Sequence, residues 1–281
     1  MTEKAQEKTQ QDSHEFSSHA DVVAALADPA LVPPPPTETR PDARTTPGTA
    51  AWLRANVARF ASGPTHTRRR VVVEADLAGI DAEPLRLAVH AVDGDSDGDG
   101  GGDVRLIAVG ALAEALGLIA GYAAARDVVV VAGVYFGGDS AEADAAVARL
   151  VDAFLAVDPD ADLETVANRI GLLVQACDST ASLVARARWR SSPNDDVDAL
   201  LTSTLREDPP VRTMRRVALR DTRVAGIDIA AGDLITLDIA AASLDPDSAS
   251  SPALAFGAEP RRCPGSVHAV ALAAGILEKD L

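Results

Sequence analysis

Apolar residues recur along most of this chain at spacings of three and four. Residues 19–31 predict a short amphipathic helix, closed by the proline run Pro33 to Pro36. Helical periodicity returns over 50–60, and after the turn Ser62-Gly63-Pro64 another helix is predicted from Thr65, carrying His66, Arg68, Arg69 and Arg70. The β-branched run Val71 to Val73 fits either an extension of that helix or a strand. Two apolar helices are predicted over 106–126 and 141–154, around a β-prone run at Val128 to Val131. The clearest helix covers 162–188, where Leu163, Val166, Ala167, Ile170, Leu173, Val174 and Cys177 fall on one face and Asp160 or Asp162 stands as N-cap. Gln175, Asp178, Ser179 and Thr180 put polar groups inside that helix; Ser and Thr bonding back to carbonyls one turn earlier is the plain structural account. Short β-prone stretches follow at 217–219 and 234–237, then an Ala-rich helix over 266–277. Residues 1–18 are polar and are expected to form a disordered tail, which leaves a single domain over 19–281.

Composition narrows what such a chain does. The 281 residues suffice for a sizeable core, built mainly from Ala, Val, Leu and Ile because aromatics are only 3%. That scarcity disfavours stacking platforms for single-stranded nucleic acid. A net charge of −16 disfavours an extended phosphate-binding face, and the lysines are confined to Lys4, Lys8 and Lys279, so the positive charge is almost all arginine. No nucleic-acid partner is expected. Cys177 and Cys263 form no CxxC unit, which argues against a zinc framework and suits a reducing cytosol. Nor is a membrane span expected: no run reaches roughly 18 apolar residues, and the best stretch, 108–125, is broken by Glu114 and glycines. A cytoplasmic protein is the expectation. The stretch from Asp93 to Asp103 matches the first half of an EF-hand loop at Asp93, Asp95, Asp97 and Gly98, but Val104 stands where a bidentate Glu is needed, so a solvated acidic loop is expected instead of a calcium site.

The segment Phe256-Gly257-Ala258-Glu259-Pro260-Arg261-Arg262-Cys263-Pro264-Gly265 presents one cysteine at the start of a helix. Backbone N–H groups, the helix dipole and two arginines favour a thiolate there, and a thiolate ligates iron; a buried structural cysteine beside a turn is the other reading. The segment resembles the haem-binding loop of cytochromes P450, F-G-x-G-x-R/H-x-C-x-G, at Phe256, Gly257, Arg261, Cys263 and Gly265. Three more segments resemble that family in the right order. Ala176-Cys177-Asp178-Ser179-Thr180 is similar to the I helix, where a small residue gives oxygen room and an acid-alcohol pair follows. The stretch Gly63 to Arg70 is similar to the C helix, and Thr204 to Val211 with Arg216 to the K helix and its following strand.

The resemblance implies a mainly α, shortened cytochrome P450-like fold with a small β portion, holding haem b. It makes Cys263 the proximal iron ligand and assigns the propionates to His66, Arg70, Arg216 and Arg261, with Phe256, Gly257 and Gly265 shaping the loop. Ala176 would leave room for oxygen, and Asp178, Ser179 and Thr180 carry the distal chemistry, Asp178 and Ser179 as the proton relay. Arg68, Arg69 and Arg262 are expected as surface salt-bridge residues, able to join Arg215 and Arg220 in docking a ferredoxin-type electron donor unless peroxide serves instead; His90 and His268 are expected as ordinary surface or interface histidines. Departures are clear too. Glu259 replaces a glycine of the loop, Ser203 replaces the glutamate of the K-helix E-x-x-R that normally pairs with Arg206, the segment before Phe256 is short, and the chain stops soon after the last helix. Three readings follow: a monooxygenase acting on a small organic or carrier-bound metabolite, a haem-binding accessory or sensor protein without turnover, and a non-haem interaction scaffold.

Overall fold

The computed structural model describes residues 13–36, 41–91, 102–248, 251 and 253–279. The acidic stretch 93–101 lies outside the described residues, while Asp103 caps the helix that follows by accepting from Arg105 N. Elements run in the order β1 (Ser13–Phe16), α1 (His19–Ala27), β2 (Leu31–Val32), α2 (Ala50–Asn56), α3 (Gly63–Ala78), α4 (Ala82–Ala91), α5 (Val104–Ala115) and α6 (Gly121–Ala132). Then come α7 (Ala141–Val157), α8 (Leu163–Arg190), α9 (Val197–Glu207), β3 (Thr213–Ala218), β4 (Thr222–Val224), β5 (Ile227–Ile229), β6 (Leu234–Asp238), α10 (Ile239–Leu244) and α11 (Ser266–Leu277). The chain is thus mainly helical with a small β portion. No helix among the described residues is long and apolar enough to cross a membrane.

Side-chain caps set the helix starts. Ser18, Thr49, Ser140, Asp162, Asp196 and Asp238 each accept a backbone N–H of the first turn of their helix. The helix predicted over 106–126 is two helices, because Gly117 adopts φ +96° and the N–H groups of Gly117 and Leu118 close back on Glu114 and Ala113. The run Val128 to Val131 is helical, not β: Gly121, Ala124, Ala125, Val128 and Val131 are buried at helical spacing, and that amphipathic face outweighs β propensity. Val71 to Val73 likewise extend α3. The expected disordered tail is wrong where the structure describes it: β1 pairs in parallel with β6, placing Ser13 opposite Leu234 and Phe16 opposite Leu237, with Phe16 buried.

The four-stranded sheet has the order β1-β6-β3-β2, and β4 and β5 form a separate hairpin. Three apolar clusters result among the described residues. The largest surrounds α8 with residues of α2, α4 to α7, α9 and α11; a second joins α1, the sheet, the β4–β5 hairpin and α10; a small third sets Val73 and Leu77 of α3 against Leu172 of α8. Arg206, deprived of the expected glutamate at position 203, donates to the carbonyls of Ser243 (3.2 Å) and Ser251 (2.6 Å), so backbone oxygens take its charge. Arg54, fully buried, anchors the turn after α6: its guanidinium bonds the carbonyls of Val134 and Gly138 and the carboxylate of Asp139 at 2.9 Å.

Small residues let the helices close on one another. A Cβ at Gly275 in α11 would overlap the carbonyl oxygen of Arg86 in α4, and one at Gly171 in α8 would stand 2.8 Å from Val57 Cγ1. Gly275→Ala is therefore expected to lower stability by about 1–3 kcal/mol, although alanine is the better helix former by about 1 kcal/mol. A thermal melt reads the sign; a Tm raised by the substitution would contradict the close α4–α11 contact.

Candidate functional site

A cavity of about 750 Å³ opens beside α8. The middle of α8 forms one wall, with Ala176, Asp178, Ser179 and Thr180 all reaching it. Opposite stand the loop before α11, the first turns of α3, β3, and the turn carrying Tyr135 and Phe136.

The loop is closed by its own backbone. Gly257, at φ +69°, donates to Leu254 O at 2.7 Å, and Cys263 N–H returns to Phe256 O at 2.8 Å. Phe256, Arg261, Cys263 and Gly265 line the cavity; Gly257 shapes the turn without joining the wall. Glu259 is exposed, so its carboxylate faces solvent and not the sulfur. Burial pushes the Cys263 thiol up, and outweighs the opposing pull of the Gly265 N–H, Arg70 and Arg262. Cys177, the other cysteine, is fully buried in the core, with its thiol pushed up to about 12 by burial first and by Asp178 next, so it is inert.

On α8, Asp178 is exposed and Ala176 and Ser179 are half-buried. Ser179 Oγ donates to Gln175 O at 2.7 Å, the back-bond expected of a mid-helix serine. Thr180 differs: it is buried, lines the cavity, and its hydroxyl has no hydrogen-bond partner.

Cations converge from separate elements. His66 and Arg70 stand one turn apart on α3, Arg216 on β3 and Arg261 on the cysteine loop. Arg70 pairs with Glu74 at 2.5 Å and Arg261 donates to Ala61 O at 2.8 Å. Arg216 is buried, bonds only the neighbouring Arg215 carbonyl, and leaves Nε without a partner. Asp178 is the sole carboxylate on the cavity wall among the described residues. Burial first, and then the repulsion of neighbouring arginines, lowers Arg216 to about 10 and Arg261 to about 10. His66 falls to about 4, from burial first and then Arg261 and Arg70.

Arg59 is a residue that the motifs did not reveal. It precedes Phe60 in the turn between α2 and α3, lines the cavity, and stacks 5.7 Å from the ring centres of both Phe60 and Phe136. Nothing in the periodicity marks it. His268, expected to be an ordinary surface or interface histidine, instead lines the cavity and contacts Ile80 O through Nε2 at 2.9 Å, with Nδ1 buried and unpartnered; His90 is exposed. Arg69 also differs from expectation. It is buried and bonds Glu164, Ala55 O and Val57 O, so it locks α3 to α8 and is not free for docking, whereas Arg68 is an exposed partner of Glu164 and Arg262 is exposed.

This donor set fits a dianionic macrocycle with one sulfur ligand. The apolar walls suit a flat ring, Cys263 offers the sulfur, and Arg216 and Arg261 have no carboxylate counter-charge among the described residues.

No protein-family model and no curated protein matches the chain. Solved structures do match. P450BioI in complex with hexadec-9Z-enoic acid ligated acyl carrier protein aligns at TM-score 0.72 and 16% identity, over 94% of this chain and 83% of that one. The cytochrome P450 CxnD, for C-S bond formation in chuangxinmycin biosynthesis, aligns at 0.70 and 18% over 95% and 79%. Ligand-free CYP164A2 of Mycobacterium smegmatis aligns at 0.65 and 21% over 94% and 82%. With a helical body around α8, a small mixed sheet and a cysteine loop leading into the last helix, the chain has the fold of the cytochromes P450.

Proposed function

We propose that this chain is a haem-thiolate oxidoreductase of the monooxygenase type, acting on a small organic or carrier-bound metabolite. One observation carries the reading: Arg216 and Arg261, neither paired with a carboxylate among the described residues, converge on an apolar cavity that also receives Cys263. Cys263 would ligate the iron of haem b. Arg216 and Arg261, with His66 and Arg70, would hold the propionates through charge-assisted hydrogen bonds, and Phe256 would line the site on the cysteine-loop side. Bound in this way, haem supplies activation of oxygen or peroxide and its transfer to an organic substrate.

The protein's own part is positioning and proton supply. The small side chain of Ala176 keeps the α8 wall open. Asp178 exchanges protons with solvent, and the hydroxyls of Ser179 and Thr180 hand them to the distal side of the cavity. Ser179 has its proton committed to Gln175 O yet keeps lone pairs free to accept, while Thr180 Oγ1 is wholly unspent. A substrate tethered to a carrier protein is consistent with the acyl-carrier complex of one similar structure. Electrons come from a ferredoxin-type donor, or peroxide replaces both donor and oxygen. The structural likeness supports a P450-type activity, and the unpaired cations support the cofactor.

Protein reconstituted with haem is expected to show a strongly red-shifted Soret band when reduced under carbon monoxide, and Cys263→Ala to lose that shift while keeping its circular dichroism. A spectrum unchanged by the substitution would overturn the ligand assignment.

Thr180→Val removes a buried hydroxyl that bonds nothing, so its Tm is expected to hold or rise, while substrate turnover falls about 10²-fold. Equal turnover would remove Thr180 from the proton path.

His66 gives a pH signature in the haem-free protein. Its folded value, about 4, lies below the ordinary 6.5. Between these values the unfolded chain binds more protons, so stability falls as pH drops through 6.5 towards 4. Melts at pH 7 and pH 5 are expected to differ less for His66→Gln than for wild type, and equal differences would contradict the burial of a neutral imidazole.

A further inference from the structure

Arg59 is accounted for neither by the protein nor by the proposed cofactor. Two propionates already have three guanidiniums and an imidazole available to them, from Arg70, Arg216, Arg261 and His66. Arg59 lines the same cavity, as the exposed Arg215 also does, and among the described residues no hydrogen bond or ion pair reaches the Arg59 guanidinium. The rings of Phe60 and Phe136, set edge to face at 86° with centres 6.1 Å apart, stabilise its charge through their π faces. They leave its in-plane N–H donors unmet, and such donors in a partly dry site call for an anion. Beside them the Tyr135 hydroxyl is buried and also unpartnered, on a ring 5.2 Å from Phe60. The turn that carries Tyr135 and Phe136 is held by the buried Arg54–Asp139 pair, so these groups sit on a rigid support.

We propose that Arg59 determines specificity for an acidic substrate, clamping the carboxylate of a small organic acid whose apolar body lies along α8 towards Ala176 and Thr180. A carboxylate matches the planar fork of a single guanidinium, and the cavity wall beyond it, at Leu112, Ala132, Val174 and Leu183, is apolar. This inference rests on the haem-thiolate reading and adds the substrate class to it.

The test is calorimetric titration of the haem-reconstituted protein with octanoate, decanoate and dodecanoate, each against its methyl ester. At least one acid is expected to bind about tenfold or more tightly than its ester, the scale of a charge-assisted pair in a partly buried site. Arg59→Gln is expected to abolish that preference with haem content and the reduced carbon-monoxide spectrum unchanged, and Arg59→Lys to restore part of it. Three results overturn the proposal: no acid preferred over its ester in the wild type, a preference that survives Arg59→Gln, or loss of haem from Arg59→Gln, which would make Arg59 a cofactor ligand. A wild-type protein without a thiolate-haem spectrum defeats instead the function proposed above. The two failures are distinguishable because calorimetry reads acid against ester whether or not haem is bound.

Discussion

Arginines that face one apolar cavity without carboxylate partners set the terms for everything else in this molecule. Arg216 bonds a single neighbouring carbonyl, and Arg261 bonds one carbonyl of the turn before α3. Burial strips these guanidiniums of water and neighbouring arginines add like-charge repulsion, which is why Arg216 and Arg261 fall to about 10. A protein that only needed to fold would place apolar residues or paired charges there. The arrangement becomes favourable once an anion with at least two charges enters, so the charge pattern and the proposed cofactor explain each other.

The scaffold holds this unfavourable cluster by close helix packing rather than by large side chains. With few aromatics, the core relies on Gly and Ala at helix crossings, as where Gly275 meets Arg86 and Gly171 meets Val57. Buried polar locks complete it. Arg54 ties α2 to the turn after α6, Arg69 ties α3 to α8, and Arg206 ties α9 to α10 and residue 251. The last of these shows how the fold tolerates Ser203: a guanidinium that loses its carboxylate is satisfied by carbonyl oxygens, without leaving a buried charge bare.

Motif-bearing parts of the site were readable before the structure because their residues are close in sequence. His66 and Arg70 are one helical turn apart, the cysteine loop is contiguous, and the polar break in α8 interrupts a clean apolar period. Arg59 was not readable, since its meaning comes from Phe136, far along the chain, and from a cavity wall that no local pattern encodes. His268 and Arg69 were misjudged for the same reason: each is defined by a contact with a distant segment, Ile80 O for one and Glu164 for the other. Val128 to Val131 misled because β propensity is weak beside the burial period of a packed helix. The strand at Ser13–Phe16 exists only through its parallel pairing with β6, which a polar local composition hides.

The central claim is that these cations hold the two propionates of haem. The most direct measurement compares haem with its dimethyl ester, whose propionates carry no charge, in equilibrium titrations of the protein and of Arg216→Gln. The account predicts that the diacid binds the wild type at least about tenfold more tightly than the diester, and that Arg216→Gln narrows the gap. Equal affinity for the two in the wild type would contradict it.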